Sequence, residues 1–91
     1  MIKEVKLTLR AEKDLSNIEE YLIDYGEAFI KLMNRLNTCI KIIKNNPELG
    51  RAGKREGTRE FFVHNTDYVI IYRIQNEILE IITILHTSRK Y

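Results

Sequence analysis

Residues 68–85 read YVIIYRIQNEILEIITIL, and this stretch constrains the fold of the whole chain. Residues 68–74 and 78–85 are rich in β-branched and aromatic side chains, which predicts two strands. Gln75 and Asn76 leave room only for a tight turn, so the two strands are antiparallel neighbours. Both segments are apolar on both faces, which favours central positions in a sheet.

A third strand is predicted just before this pair. Residues 59–64 contain the apolar run Phe61, Phe62 and Val63, and residues 65–67 supply the turn residues Asn, Thr and Asp. Three strands joined by such short turns form an antiparallel meander.

The two faces of the predicted sheet have different roles. Tyr68 and Tyr72 share the face that must pack on the rest of the chain, so we expect them in the core. The opposite face carries Val69, Ile71 and Arg73, and we expect it to stay partly open. An exposed apolar sheet face on so small a protein indicates a binding surface, with homodimerisation as the alternative interpretation.

Two amphipathic helices are predicted upstream of the meander. The apolar stripe of the first contains Leu15, Ile18, Leu22 and Tyr25, with Asp14 among the residues placed outside it. The stripe of the second consists of Phe29, Leu32, Leu36, Cys39, Ile40 and Ile43.

The boundaries of these helices fix the fold class. Residues 45–47, Asn-Asn-Pro, end the second helix, because the residue before a proline is biased away from helical geometry. A short connection at Gly26 predicts an antiparallel helix hairpin. Val5, Leu7 and Leu9 alternate with polar residues, which predicts an N-terminal strand. The predicted class is α+β: an N-terminal strand, an antiparallel helix hairpin and a three-stranded antiparallel meander.

Composition indicates one ordinary globular domain spanning residues 1–91. Hydrophobic residues make up 44% and charged residues 31% of the chain. Cys39 lies among apolar helix positions, so we expect a reduced core residue, and the His and Cys spacing predicts no metal site and no cofactor. The N-terminal segment is too charged for a signal peptide, and no apolar run approaches the roughly 20 residues of a membrane span. A soluble, cytoplasmic protein is expected.

The net charge of +2 is too small to predict a nucleic-acid binder by itself, but the charges are unevenly placed. An exposed loop is predicted over residues 49–58, where basic residues predominate. The basic residues from this loop into the next strand are Arg51, Lys54, Arg55 and Arg59, and those at the end of the chain are Arg89 and Lys90. The acids of the first half include Glu19, Glu20, Asp24 and Glu27. We therefore expect one basic edge and one acidic helical flank.

The order of these elements resembles the RelE/ParE toxin family, and several motifs carry the resemblance. Residues 10–15 (RAEKDL) are similar to the opening of that family's first helix, and residues 46–51 (NPELGR) to its post-helix turn. Residues 57–61 (GTREF) and 68–73 (YVIIYR) resemble its meander signature, and residues 84–89 (ILHTSR) its typical end.

The resemblance implies the toxin of a type II toxin–antitoxin system. RelE-type members cleave messenger RNA on the ribosome, whereas ParE-type members bind DNA gyrase and trap it on broken DNA. Either type implies a cognate antitoxin, a small protein with an acidic amphipathic segment, and a toxin–antitoxin hetero-oligomer. The helix hairpin and the sheet face with Val69, Ile71 and Arg73 are the surfaces predicted to bind that antitoxin.

The sequence favours the ParE branch, and therefore a gyrase inhibitor without chemistry of its own. RelE-like nucleases place Lys and Arg on the open sheet face to stabilise the phosphate transition state. Here the position of the third-strand Arg is Val69, and the lysine positions fall near Glu60 and Phe62. Glu60 would repel a phosphate. The residues predicted to contact gyrase are Arg51, Lys54, Arg55, Arg89 and Lys90.

The alternative is a ribosome-dependent messenger RNA endoribonuclease, for which Arg59, His86 and Arg89 form the best catalytic set. An imidazole suits acid–base chemistry near neutral pH. Structural interpretations compete: Arg59 could pair with Asp67 or Glu80, and His86 could cap the end of its strand. An inactive descendant that only binds its antitoxin is a third possibility.

Overall fold

The structure is a computed structural model that describes residues 1–88 of the chain. Its elements in chain order are β1 (Glu4–Leu7), α1 (Leu9–Leu22), a 3₁₀ turn (Ile23–Tyr25), α2 (Glu27–Asn45), β2 (Arg51–Ala52), β3 (Arg59–Phe62), β4 (Tyr68–Gln75) and β5 (Ile78–His86).

The strands form one five-stranded sheet in the order β1-β5-β4-β3-β2. The meander of β3, β4 and β5 is antiparallel, and β4 and β5 are central, which confirms the α+β prediction. β1 pairs with β5 in parallel, with Glu4 opposite Ile78 and Leu7 opposite Ile81. The sheet is therefore mixed, and the helix hairpin followed by β2, β3 and β4 lies between its two parallel strands in the chain.

The structure corrects the predicted exposed loop of residues 49–58. β2 lies inside this segment and extends the sheet, with Arg51 opposite Glu60 and Ala52 opposite Arg59. Gly50, immediately before it, is buried. A basic two-residue strand without apolar alternation gives no periodic signal, so sequence reasoning could not separate it from a loop.

The first helix also departs from its prediction at both ends. Leu9 does not continue β1, because Thr8 caps the helix: the Thr8 side-chain oxygen accepts a hydrogen bond from the Ala11 backbone N–H at 3.1 Å. Leu9 is consequently 84% exposed on the first turn of α1. Tyr25 does not belong to the buried stripe, because the chain tightens into the 3₁₀ turn and leaves its ring exposed.

The core lies between the helix hairpin and one face of the sheet. Ile81 and Ile84 both belong to this core although strict alternation would place them on opposite faces. A β-bulge in β5 explains how both residues reach the same face. Ile71 is opposite Thr83 and Tyr72 is opposite Ile81, so β5 has one extra residue between Ile81 and Thr83. The helix side of the core contains Ala11, Ile18, Leu32, Leu36, Cys39 and Ile43. Burial raises the pKa of the Cys39 thiol, which favours the protonated core residue.

Tyr72 connects the centre of the sheet to the turn after α2. Its ring is fully buried, and its hydroxyl donates to the Pro47 carbonyl at 2.8 Å and accepts from the Gly50 N–H at 2.9 Å. Any side chain at position 50 would overlap the phenol, so the close approach requires glycine. Burial raises the pKa of Tyr72, while the bond from Gly50 and the charge of Arg59 lower it less.

We expect Tyr72→Phe to lower the free energy of unfolding by about 2 kcal/mol, because the buried Gly50 N–H loses its acceptor. Urea denaturation followed by circular dichroism measures this difference. Tyr25→Phe makes the same chemical change at an exposed ring and should stay within about 0.5 kcal/mol of the original chain. Equal stability of the two variants would contradict the role given to Tyr72.

The same phenol predicts a pH dependence. The folded chain keeps Tyr72 neutral to a higher pH than the unfolded chain, so its contribution is complete below the ordinary phenol pKa of about 10. Above that pH the unfolded chain ionises first, and stability falls as pH rises through the folded pKa. Tyr72→Phe should show a smaller decline in the free energy of unfolding over this interval.

Candidate functional site

A cleft of about 430 Å³ opens between α1 and the C-terminal end of β5. Positions 14, 17, 18 and 21 lie on one side of α1 because they recur at helical spacing. The apolar part of the lining is Ile18 and Ile84, and the polar part is Asp14, Asn17, Tyr21, Tyr68, His86 and Ser88. Polar groups with both donors and acceptors therefore converge on a partly apolar surface, as in many ligand sites.

Asp14 anchors α1 to the edge of β5. Its Oδ2 atom accepts from the Thr83 hydroxyl at 2.5 Å and from the Ile84 backbone N–H at 3.0 Å. The pairing of β1 with β5 ends at Ile81, so the carboxylate supplies the acceptor that a strand no longer provides.

The sequence prediction placed Asp14 on the outer face of α1, and this was wrong. The residue is half-buried, and it lies four positions before Ile18 on the side of the helix that packs inward. That spacing is the signal in the sequence that identifies an inward-facing carboxylate.

His86 is the last residue of β5 and lies in the cleft with a defined ring orientation. Its Nδ1 atom is 2.7 Å from the Ser88 hydroxyl and accepts from the Ser88 backbone N–H at 3.2 Å. Nε2 faces the Asp67 carboxylate at 4.0 Å, and the Tyr68 ring packs edge-on at 5.3 Å between centroids. The imidazole is partly exposed.

His64 lies in the turn between β3 and β4, with its side chain exposed. Its backbone carbonyl accepts from the Arg35 guanidinium at 3.2 Å. The two histidines therefore differ: only His86 lines the cleft.

Arg59 forms hydrogen bonds with the turn after α2 and no ion pair with the two carboxylates predicted as its partners, Asp67 and Glu80. Its Nη1 atom donates to the Gly50 carbonyl at 2.8 Å and to the Glu48 carbonyl at 3.3 Å. Glu80 binds Arg73 instead, and Asp67 faces His86.

The structure also separates the members of the alternative catalytic set. Arg59 is opposite Tyr72 and His86 is opposite Tyr68, so their rows are four residue steps apart along β4, about 13 Å of strand. Arg89, the third member, lies outside the described residues, as does Lys90.

The predicted gyrase contacts divide into two groups. Arg51 belongs to β2, where its Nε atom pairs with Glu60 at 3.1 Å and its guanidinium covers the Phe62 ring at 4.6 Å. Lys54 and Arg55 are exposed in the loop and form no ion pair with any residue of the described chain. The loop therefore presents two cations that a partner can neutralise.

The sheet face predicted to be open is largely closed. Val69 is 7% and Ile71 1% exposed, and only Arg73 keeps substantial exposed area. Long neighbours account for part of this burial: Phe62 lies opposite Val69, and Glu60 lies opposite Ile71. On this face Phe62 keeps 46% of its surface exposed, and a further group of exposed apolar side chains lies on the hairpin: Tyr21, Ile23, Tyr25 and Ile30.

Residues 1–88 lack both a metal-binding cluster and a membrane-spanning helix. They contain no group of three or more His, Cys, Asp or Glu side chains placed to hold a metal ion. None of their helices has the length and apolar character needed to cross a membrane.

Solved structures share this architecture. A chain of the chromosomal ParDE TA system from P. aeruginosa superposes with a TM-score of 0.80 at 19% identity, over 93% of this chain and 96% of that chain. A chain of the E. coli DinJ-YafQ complex gives a TM-score of 0.67 at 16% identity, over 97% and 96%. The class of protein is therefore defined by its fold, which is that of the ParE/RelE toxins.

Sequence comparison narrows this class to a family. The sequence model of the family described as the ParE toxin of the type II toxin–antitoxin system parDE matches residues 5–91. The candidate toxin Y4kP of Sinorhizobium fredii is 31% identical over 90 residues, which cover 98% of this chain and 93% of that protein. The chain belongs to the ParE toxin family of type II toxin–antitoxin systems.

We expect Asp14→Ala to lower the free energy of unfolding by about 1–3 kcal/mol, because the Thr83 hydroxyl and the Ile84 N–H lose their acceptor. Chemical denaturation of the purified chain measures the change. Glu19→Ala removes a carboxylate from the exposed side of the same helix and should alter stability by no more than about 0.5 kcal/mol. Similar losses in both variants would show that α1 tolerates neither substitution and that the contact to β5 is unimportant.

Proposed function

We propose that this toxin inhibits DNA gyrase by trapping it on cleaved DNA, and that a cognate antitoxin neutralises it. The observation that carries the proposal is the internal pairing of charge on the sheet face opposite the helices. The cations that the described strands place there are each within ion-pair distance of a glutamate: Lys6 with Glu4, Arg51 with Glu60 and Arg73 with Glu80, at 3.9, 3.1 and 2.6 Å.

This pairing opposes a nuclease on that face. Cleavage of RNA through its own 2′-hydroxyl builds negative charge on a pentavalent phosphate, which an enzyme stabilises with preorganised cations. A cation already paired with a carboxylate provides little of that potential. The position at which RelE-like nucleases carry a third-strand Arg is Val69 here, which is buried and uncharged. The sheet face therefore favours a toxin that acts by binding another protein.

Gyrase inhibition requires no chemistry from this chain. A protein that binds the cleaved-DNA state of gyrase better than the resealed state shifts the population towards cleaved DNA. Lys54 and Arg55 are suited to such binding because they are exposed and unpaired within the described chain. Arg51 contributes less because Glu60 offsets its charge. We include Arg89 and Lys90 among the proposed gyrase contacts because both are basic.

An antitoxin partner is supported by the structural relatives, which come from the ParDE system and the DinJ-YafQ complex. Of the sheet-face residues proposed to bind it, Arg73 offers exposed area to an acidic segment. Val69 and Ile71 lie beneath that surface, so their effect on the antitoxin is through the shape of the sheet.

A messenger RNA endonuclease is the second candidate, and His86 is the observation that favours it. This imidazole lies in an open cleft between the Ser88 hydroxyl and the Asp67 carboxylate, and histidine is the side chain that most often serves as a general acid or base.

Controlled expression in a sensitive bacterium separates the two candidates. Within minutes of induction we expect chromosomal breaks and a DNA-damage response with intact transcripts. His86→Gln and His64→Gln should be equally toxic, because gyrase inhibition needs no imidazole. Rapid transcript cleavage with intact DNA, abolished by His86→Gln and retained by His64→Gln, would reject gyrase inhibition in favour of the nuclease.

The basic loop gives a direct test of the binding surface. Lys54→Glu with Arg55→Glu should reduce cleaved DNA in a purified gyrase assay at least about tenfold, because two attractions become repulsions. Lys13→Glu with Lys41→Glu makes the same charge change at exposed helix positions and should retain most of the effect. Equal activity of the two double variants would remove the loop from the gyrase interface.

A further inference from the structure

Several large apolar side chains are exposed at the tip of the helix hairpin. Tyr21, Ile23, Tyr25 and Ile30 are between 56% and 71% exposed, and the rings of Tyr21 and Tyr25 lie 6.4 Å apart. We call these residues the hairpin patch. Exposed aromatic residues that contact one another are typical of the centres of protein interfaces, where tyrosine is enriched.

The hairpin patch has a strongly acidic surround. Residues 14–30 contain no Lys, Arg or His, and their acids are Asp14, Glu19, Glu20, Asp24 and Glu27. Glu27 pairs with Lys31 at 3.3 Å, while Glu19, Glu20 and Asp24 form no ion pair within residues 1–88. This surface attracts a cationic partner and repels an acidic one.

The patch is continuous with the cleft, because Tyr21 belongs to both. Asp14 brings a carboxylate to the cleft, and its two bonds to β5 both use Oδ2. Oδ1 accepts no hydrogen bond from the described residues. Oδ1 therefore remains as a carboxylate oxygen to which a ligand can donate, beside the aromatic rings of Tyr21 and Tyr68.

We infer that the hairpin patch and the cleft together bind a cationic amphipathic segment of a partner protein, with one arginine side chain in the cleft. The apolar side of the segment covers Tyr21 and Tyr25, and its other basic residues face Glu20 and Asp24. Arginine fits better than lysine, because a planar guanidinium donates to the Asp14 carboxylate while it stacks on tyrosine rings.

This inference does not depend on the gyrase proposal. It distinguishes two surfaces by the charge of the partner that each one binds. The acidic antitoxin segment predicted from the sequence does not match the hairpin. It matches the exposed Arg73 of the sheet face, whereas the hairpin requires a segment of opposite charge.

The test uses the isotope-labelled full chain and a synthetic amphipathic helix of leucine, alanine and arginine as the probe. Its comparison peptide has citrulline in place of every arginine, which keeps the shape and removes the charge. We expect amide shifts centred on residues 14–30 and binding that weakens about tenfold or more with citrulline. Equal binding of both peptides, or shifts centred on the sheet face around Arg73, would overturn the inference.

Chain variants locate the contact. Tyr21→Ala removes an exposed ring and should weaken binding of the arginine peptide at least about fivefold. Asp14→Asn should act in the same direction, and its amide oxygen can still accept from Ile84. Glu56→Gln neutralises an exposed acid in the basic loop and should bind within about twofold of the original chain. Unchanged affinity in Tyr21→Ala, or an equal loss in Glu56→Gln, would show attraction by net charge without a site.

Discussion

The hydroxyl of Tyr72 is the interaction on which the arrangement of the basic segment depends. It joins the centre of β4 to the turn after α2 through Pro47 and Gly50; Tyr72 and Gly50 are buried, and Pro47 is partly buried. A buried polar group without a partner costs far more than a formed hydrogen bond contributes, so this turn has one favourable position. The chain leaves Gly50 already aligned for β2, and Arg59 donates from β3 to the Gly50 carbonyl at 2.8 Å.

The position of β2 then determines which cations are free. Because β2 lies beside β3, Arg51 is opposite Glu60 and the two side chains form an ion pair. The glutamate therefore offsets the charge of Arg51. The unpaired cations of this region are those beyond the strand, at Lys54 and Arg55. The acids of the hairpin lie on a separate element. The molecule therefore offers two surfaces of opposite sign, which suits simultaneous contacts to different partners.

The parts of the fold that local patterns encode were predictable. Strand pairs with short turns and helices with continuous stripes depend on neighbours in sequence, so the meander and the hairpin followed directly. The parallel pairing of β1, the short β2 and the bulge opposite Ile71 depend on residues distant in sequence. Local hydrophobic periodicity therefore does not predict them. In the site, His86 was found from its residue type, whereas Asp14 was misplaced because its partners, Thr83 and Ile84, are distant in sequence.

The ion pairs of the sheet face are better explained by function than by stability. An exposed pair such as Arg73 with Glu80 contributes only about 0–1 kcal/mol, because solvent screens it and two long side chains lose freedom. Its effect on an approaching phosphate is larger, since each glutamate cancels the potential of a cation where a nuclease would need it. A toxin that acts on a protein target bears no such penalty. Glutamates at positions 60 and 80 are therefore compatible with a binding toxin and costly for an enzyme that cleaves RNA on this face.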